Sequence, residues 1–132
     1  MKIFLASFLE PDNFGPGKVI GVANGSKPKD VKCDQVFPPL IPTNVIMERY
    51  SDMSLNDPGN AASEFVKSFT EQLAAFHDKV KLAADNSGQP TTEILPFVDG
   101  DTLASWERER FSNYRPLIAA CLTKLGYEVV QR

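Results

Sequence analysis

An unbroken apolar run, KIFLASFL at 2–9, opens the chain and predicts a strand buried on both faces. EPDNFGPG is turn chemistry, KVIGVA at 18–23 predicts a second short strand, and NGSKPKD follows as a loop. The proline-punctuated VKCDQVFPPLIPT reads as a connection whose apolar residues pack onto the body, and NVIMERYSDM at 44–53 as a short helix. The clearest pattern lies at 60–84, where Phe65, Phe69, Leu73, Phe76, Val80 and Ala83 recur at steps of three and four residues. Such a stripe predicts an amphipathic helix that needs a sheet to cover it. Asp57 ahead of Pro58, or Asn60, would cap its start, and the polar NSGQP would end it.

Beyond that helix, TEILPFV within 91–98 predicts a third strand. Leu117, Ile118, Cys121, Leu122 and Leu125 form a second helical stripe, closed by Gly126 in a capping position, and YEVV is a last strand. Strand, loop, helix, glycine, strand is a βαβ unit, and such units build parallel sheets with right-handed crossovers. The expectation is an α/β fold: one compact domain over 1–132, in two or three layers, with a mainly parallel, Rossmann-like sheet flanked by helices. A mainly antiparallel α+β arrangement is the alternative. The pattern shows no internal repeats and no low-complexity segment.

Composition narrows the function classes. At 132 residues the chain is long enough for one real core and short for two domains. The net charge of −3 and the pI near 5.1 give no basic surface, which argues against a nucleic-acid partner and leaves room for a small local basic site. MKIFLASFL stops its apolar run at Glu10 without a small-residue cleavage site, so it reads as a strand rather than a signal peptide. No stretch reaches membrane-spanning length. A cytoplasmic protein with reduced thiols is expected. Cys33 and Cys121 fit no metal spacing, and a single histidine leaves too few ligands for a Cys/His zinc site. No metal and no cofactor is expected, Cys121 reads as a buried inert thiol, and oligomeric state has no signal.

Ligands of open parallel sheets bind beyond the carboxyl ends of the strands, which singles out the loops 10–17, 24–27 and 99–115. Chemistry is densest in the last of these, FVDGDTLASWERERFSNYRP. Ser112 or Asn113 would cap the final helix, with Arg115 in its first turn beside Pro116. A guanidinium next to unsatisfied helix N–H groups suits a phosphate or carboxylate; the plainer role is a strut to Asp99, Asp101 or Glu107. Trp106 and Tyr114 would line the site, or Trp106 would anchor the loop. Glu107, desolvated by Trp106, is a candidate general acid or base, with Glu10 a second carboxylate across the cleft. Asp99 and Asp101 flank Gly100 as a turn. Asn24, Ser26 and Lys27 surround Gly25 in a possible phosphate cradle, although a simple turn is the commoner reading of such a stretch. His77 sits beside the apolar stripe as a packed residue. The expected ligand is a small anion, a nucleotide or phosphorylated metabolite, which an enzyme would transform and a binding or interaction module would only hold.

Taken together, KIFLASFL, KVIGVANGSKP, PLIPTNVIMERY, the 60–84 helix, and ILPFVDGD with FSNYRPLIAACLTKLGYEVV resemble the bacterial and phage family called domain of unknown function 488. The family's most specific motif is Cys-His-Arg at the start of the last helix, after a strand ending in cysteine and glutamate. Asn113-Tyr114-Arg115 stands at that place, so only the arginine carries over, and Asp99 approximates the glutamate. The resemblance implies an α/β fold and an anion-binding arginine, without the thiol chemistry. The opening MKIFLAS is also similar to nucleoside deoxyribosyltransferases, whose downstream acidic motif is not evident.

Overall fold

The computed structural model describes residues 1–23, 30–105 and 114–132. Five parallel strands form one sheet: β1 (Lys2–Ser7), β2 (Val19–Gly21), β3 (Gln35–Val36), β4 (Thr102–Ser105) and β5 (Glu128–Gln131). Their spatial order is β3-β2-β4-β1-β5. Among the described residues four α-helices accompany them: α1 (Asn44–Ser54), α2 (Pro58–Ser87), the single turn α3 (Thr91–Ile94) and α4 (Tyr114–Lys124). The α/β expectation holds, in its two-layer form.

Chain direction explains the layers. The β1–β2 and β2–β3 connections run toward one edge of the sheet, whereas β3–β4 and β4–β5 run toward the other. Crossovers of one hand must then place the two sets on opposite faces. One face carries Ile3, Leu5, Ile20, Val22 and Leu103, covered by Tyr50 of α1, the Phe65-Phe69-Leu73-Val80 stripe of α2, and Ile118, Cys121 and Leu122 of α4. The other carries Phe8, Val19 and Ala104, covered by Phe14, Val31 and Cys33 from connecting segments. No helix packs there among the described residues.

Gly15 and Gly17 let the β1–β2 connection cross that second face at close range. A Cβ on Gly15 would stand 2.4 Å from the Phe4 ring, and one on Gly17 2.7 Å from Asp101 Oδ1. Phe4 is covered on this face by the Arg132 guanidinium, 4.3 Å from its ring centroid.

The long helix matches its sequence pattern closely. Asp57 is its cap, accepting from the Asn60 N–H at 3.3 Å with Pro58 in the first turn, and Gly88 ends it at φ 73°. Only the last position of the stripe moves: Ala84, four residues after Val80, is buried, and Ala83 is exposed. Thr43 caps α1, and Gly126 closes α4 at φ 100°. No helix among the described residues is long and apolar enough to cross a membrane.

The third predicted strand is displaced. Residues 91–98 form α3 and an extended segment outside the sheet, and the strand is the following TLAS. Leu95 and Phe97 alternate because they anchor this segment in the core, where Phe97 meets the rings of Phe37 at 4.9 Å and Tyr127 at 6.0 Å. Pro96 between them has no N–H for a ladder. The consequence for function is large, because Asp99 and Asp101 now precede a strand instead of following one.

Candidate functional site at the carboxyl edge

All five strands point the same way, so one edge of the sheet presents N–H groups and the other C=O groups. Aspartates serve the first. Asp99 Oδ1 accepts from Lys2 N at 2.7 Å, Asp34 Oδ2 from Val19 N at 2.8 Å, and the fully buried Asp101 from Lys18 N at 3.1 Å and Val98 N at 3.0 Å. The Val19 N–H holds the Asp34 carboxyl below its ordinary pKa, against desolvation and with help from Lys32. Asp99 and Asp101 are therefore turn and edge-capping residues, at the end of the sheet away from Arg115.

Donors serve the carboxyl edge. Tyr114 and Arg115 occupy the first turn of α4, as the sequence predicts for Arg115, and both are buried. Tyr114 Oη donates to the Val22 carbonyl at 3.1 Å while its ring lies edge-on to Phe69, 5.6 Å between centroids. Arg115 Nη2 donates to the carbonyls of Leu5 at 2.9 Å and Arg132 at 2.6 Å, which ties the ends of β1 and β5 to α4. Arg115 is thus a strut, but one that grips main-chain carbonyls rather than the aspartates. Its charge remains at the helix N-terminus, at this edge of the sheet.

Between these two anchors lies a pair that the sequence analysis missed. Leu5-Ala6-Ser7 of β1 and Leu103-Ala104-Ser105 of β4 are the same tripeptide, and they pair residue for residue in register. Ser7 and Ser105 therefore stand side by side at the last positions of the two strands, 2% and 0% exposed. Ser7 Oγ accepts from Leu9 N at 3.1 Å, and Ser105 Oγ donates to the Ala6 carbonyl at 3.4 Å. The repeated Leu-Ala-Ser at the end of two apolar runs was the available signal.

Glu10 follows on the segment leaving β1. It is exposed, its backbone N–H donates to the Ser7 carbonyl at 3.0 Å, and its Oε2 accepts from Asn13 Nδ2 at 2.7 Å. Trp106, Glu107, Asn113, Asn24, Ser26 and Lys27 lie outside the described residues, so of the predicted set the structure describes Glu10, Tyr114 and Arg115, of which Tyr114 and Arg115 stand side by side on α4 and Glu10 follows β1 with partners on its own segment. His77 is elsewhere, on a groove of about 310 Å³ between α2 and α4, with Leu73 and Cys121 among its lining. The Cys121 thiol is buried there and its pKa is pushed up to about 11 by desolvation, with Lys124 opposing. The burial expected of Cys121 is observed, and desolvation disfavours the reactive thiolate. Among the described residues no cluster of His, Cys, Asp and Glu is arranged to hold a metal ion. No family model matches the chain, and no curated protein or solved structure does.

Proposed function

We propose that this protein binds a small anionic molecule, a nucleotide or phosphorylated metabolite, at the carboxyl edge of β1 and β4. One observation carries the reading. The connection after β4 leaves in the opposite direction and over the opposite face from those after both its neighbours, β1 and β2, so β4 marks the topological switch at which open parallel sheets form their ligand crevices. β1 and β4 end there in register at the buried Ser7 and Ser105, and α4 begins beside them with Arg115 in its first turn. A helix N-terminus and a nearby guanidinium both favour negative charge. With Nη2 engaged by strand carbonyls, Arg115 would act mainly through its field and would fix the helix that presents its N–H groups.

A reaction on the bound molecule is the second reading, favoured by Glu10, an exposed carboxylate on the segment leaving β1. Calorimetry with inorganic phosphate, ribose 5-phosphate, AMP and ATP tests the first reading: saturable binding that weakens with salt is expected, and no saturable heat from any of them would remove it. Incubation with the same compounds and with deoxynucleosides plus free bases, followed by product analysis, tests the second. If Glu10 moves a proton, Glu10→Gln should lower turnover by roughly 100-fold at little cost in affinity. Absence of product leaves a binding module.

A further inference from the structure

The two outermost strands of the sheet are unlike. β3 is two residues long and leads through Phe37 into Pro38-Pro39, a short flank that resists pairing. β5 has four residues, Glu128–Gln131, in unbroken register with β1, and neither proline nor bulge protects it. Glu128 N donates to the Met1 carbonyl at 2.9 Å and Arg132 N to the Leu5 carbonyl at 2.8 Å. Even-numbered positions of β5 thus turn their main-chain groups toward β1. Val129 and Gln131 turn theirs outward, where no described residue pairs with them. We infer that a second copy of this chain docks there, β5 against β5 and antiparallel, about a two-fold axis through Val130. The two five-stranded sheets then become one. This contact is independent of the ligand proposed above.

Parity and charge select that register. The new strand pair can bond only through outward-facing positions, so Val129 of each copy meets Gln131 of the other and exchanges N–H···O bonds with it. Val130 then faces Val130 across the axis, and Glu128 of each copy stands opposite Arg132 of the other. These side chains share one face of the sheet, because Val130 is in register with Phe4 and the Arg132 guanidinium covers the Phe4 ring. Opposite charges directly across a strand pair stabilise it. Neither Glu128 nor Arg132 has an ion-pair partner among the described residues. Charges on an outermost strand ordinarily keep copies apart; here opposite signs lie symmetrically about Val130, so the two-fold turns them into attraction. An axis through Val129 would instead set Glu128 against Val130. It would also need the Tyr127 N–H, which already donates to the Leu122 carbonyl at 3.1 Å.

Sedimentation equilibrium from about 10 µM to about 1 mM, a range suited to a small transient interface, reads the association. The mass of the wild-type protein should rise from that of one chain toward that of two and no further, because a two-fold contact closes. Gln131→Pro removes an outward N–H and leaves the bond from Arg132 N to Leu5 in place. It should keep the melting temperature within a few degrees and raise the dissociation constant of the dimer about tenfold or more. Disulfide trapping reads the register without that variant. Facing residues of a non-hydrogen-bonded antiparallel pair have Cα atoms about 4.5 Å apart, within reach of a disulfide. Val130→Cys should therefore give a covalent dimer on oxidation. Gln131→Cys, and the wild-type protein with its Cys33 and Cys121, should not. A wild-type protein that stays monomeric throughout would overturn the inference and leave this strand to a partner of another kind. Association that Gln131→Pro leaves intact, or trapping in Gln131→Cys in place of Val130→Cys, would overturn it as well.

Discussion

The two edges of the sheet solve the same problem with opposite chemistry. At the amino edge the strands end in N–H groups, and Asp34, Asp99 and Asp101 receive them. At the carboxyl edge the strands end in C=O groups, and Tyr114, Arg115 and Ser105 donate to them. A parallel sheet imposes this polarity, because every strand contributes the same sign at the same end. The difference between the edges lies in what is left over. Asp101 has both carboxylate oxygens engaged by backbone N–H groups, with glycines packed against it. The carboxyl edge keeps the charge of Arg115 at the start of α4. One end is closed by carboxylates that take up backbone N–H groups, and the other by side-chain donors that leave the Arg115 charge beside the start of α4.

The sharpest way to break this contrast is to attack the amino edge. Asp101→Ala leaves the part-buried N–H groups of Lys18 and Val98 without their charged acceptor. Two such bonds are worth about 3–5 kcal/mol, and the melting temperature should fall by about 10 °C or more. Ligand affinity, measured at a temperature where the variant is folded, should stay within about threefold. Loss of affinity without loss of stability would show that the aspartate end is the working end.

Arg115 comes next and separates strut from charge. Arg115→Ala removes the donors to Leu5 and Arg132 and should cost about 2–3 kcal/mol, read from denaturant or thermal unfolding. Arg115→Lys keeps the charge but not the geometry that reaches two carbonyls at once. It should remain less stable than wild type yet bind anions within about tenfold. Equal stability of all three proteins would contradict the strut.

Where the sequence was legible, the signal was long and repetitive. The α2 stripe runs over Phe65, Phe69, Leu73 and Val80, and each step reinforces the last, so helix, cap and core face are readable together. Strand β4 had no such support. Thr102–Ser105 is four residues with two hydroxyls, fully buried, beside a TEILPFV that has better strand composition and lies outside the sheet. Misplacing that strand by a few residues put Asp99, Asp101 and Arg115 on one loop, when the width of the sheet separates them. Strand order has no local signature either: the placement of β4 between β1 and β2 is a tertiary fact, and with it the registered serine pair. Arg115 was legible as the first-turn residue of a helix, but its carbonyl partners, Leu5 and Arg132, are set by that strand order.

A smaller effect probes two buried groups, the Cys121 thiol on α4 and the Tyr127 phenol just ahead of β5. Burial pushes the Cys121 thiol up to about 11 from 9.0, and burial together with the Asp101 charge pushes the Tyr127 phenol up to about 12 from 10.0. Both folded pKa values exceed the unfolded ones, so the stabilisation is complete below about pH 9 and is lost as pH rises from there toward 11 and 12. Melting temperature should decline over that interval, and Cys121→Ala should flatten its lower part. A flat profile from pH 8 to 11 would show that neither group is held in its protonated form.

The central claim is that the carboxyl edge of β1 and β4 is the ligand site, and amide chemical shifts report on it residue by residue. A titration of the isotope-labelled protein with AMP should give saturable shifts at Ser7, Phe8, Leu9, Ser105, Tyr114 and Arg115. Lys18, Val98 and Asp101, at the opposite end, should barely move. Saturable shifts centred on Lys18, Val98 and Asp101, or on the α2–α4 groove around Leu73 and Cys121, would place the site elsewhere and contradict the account.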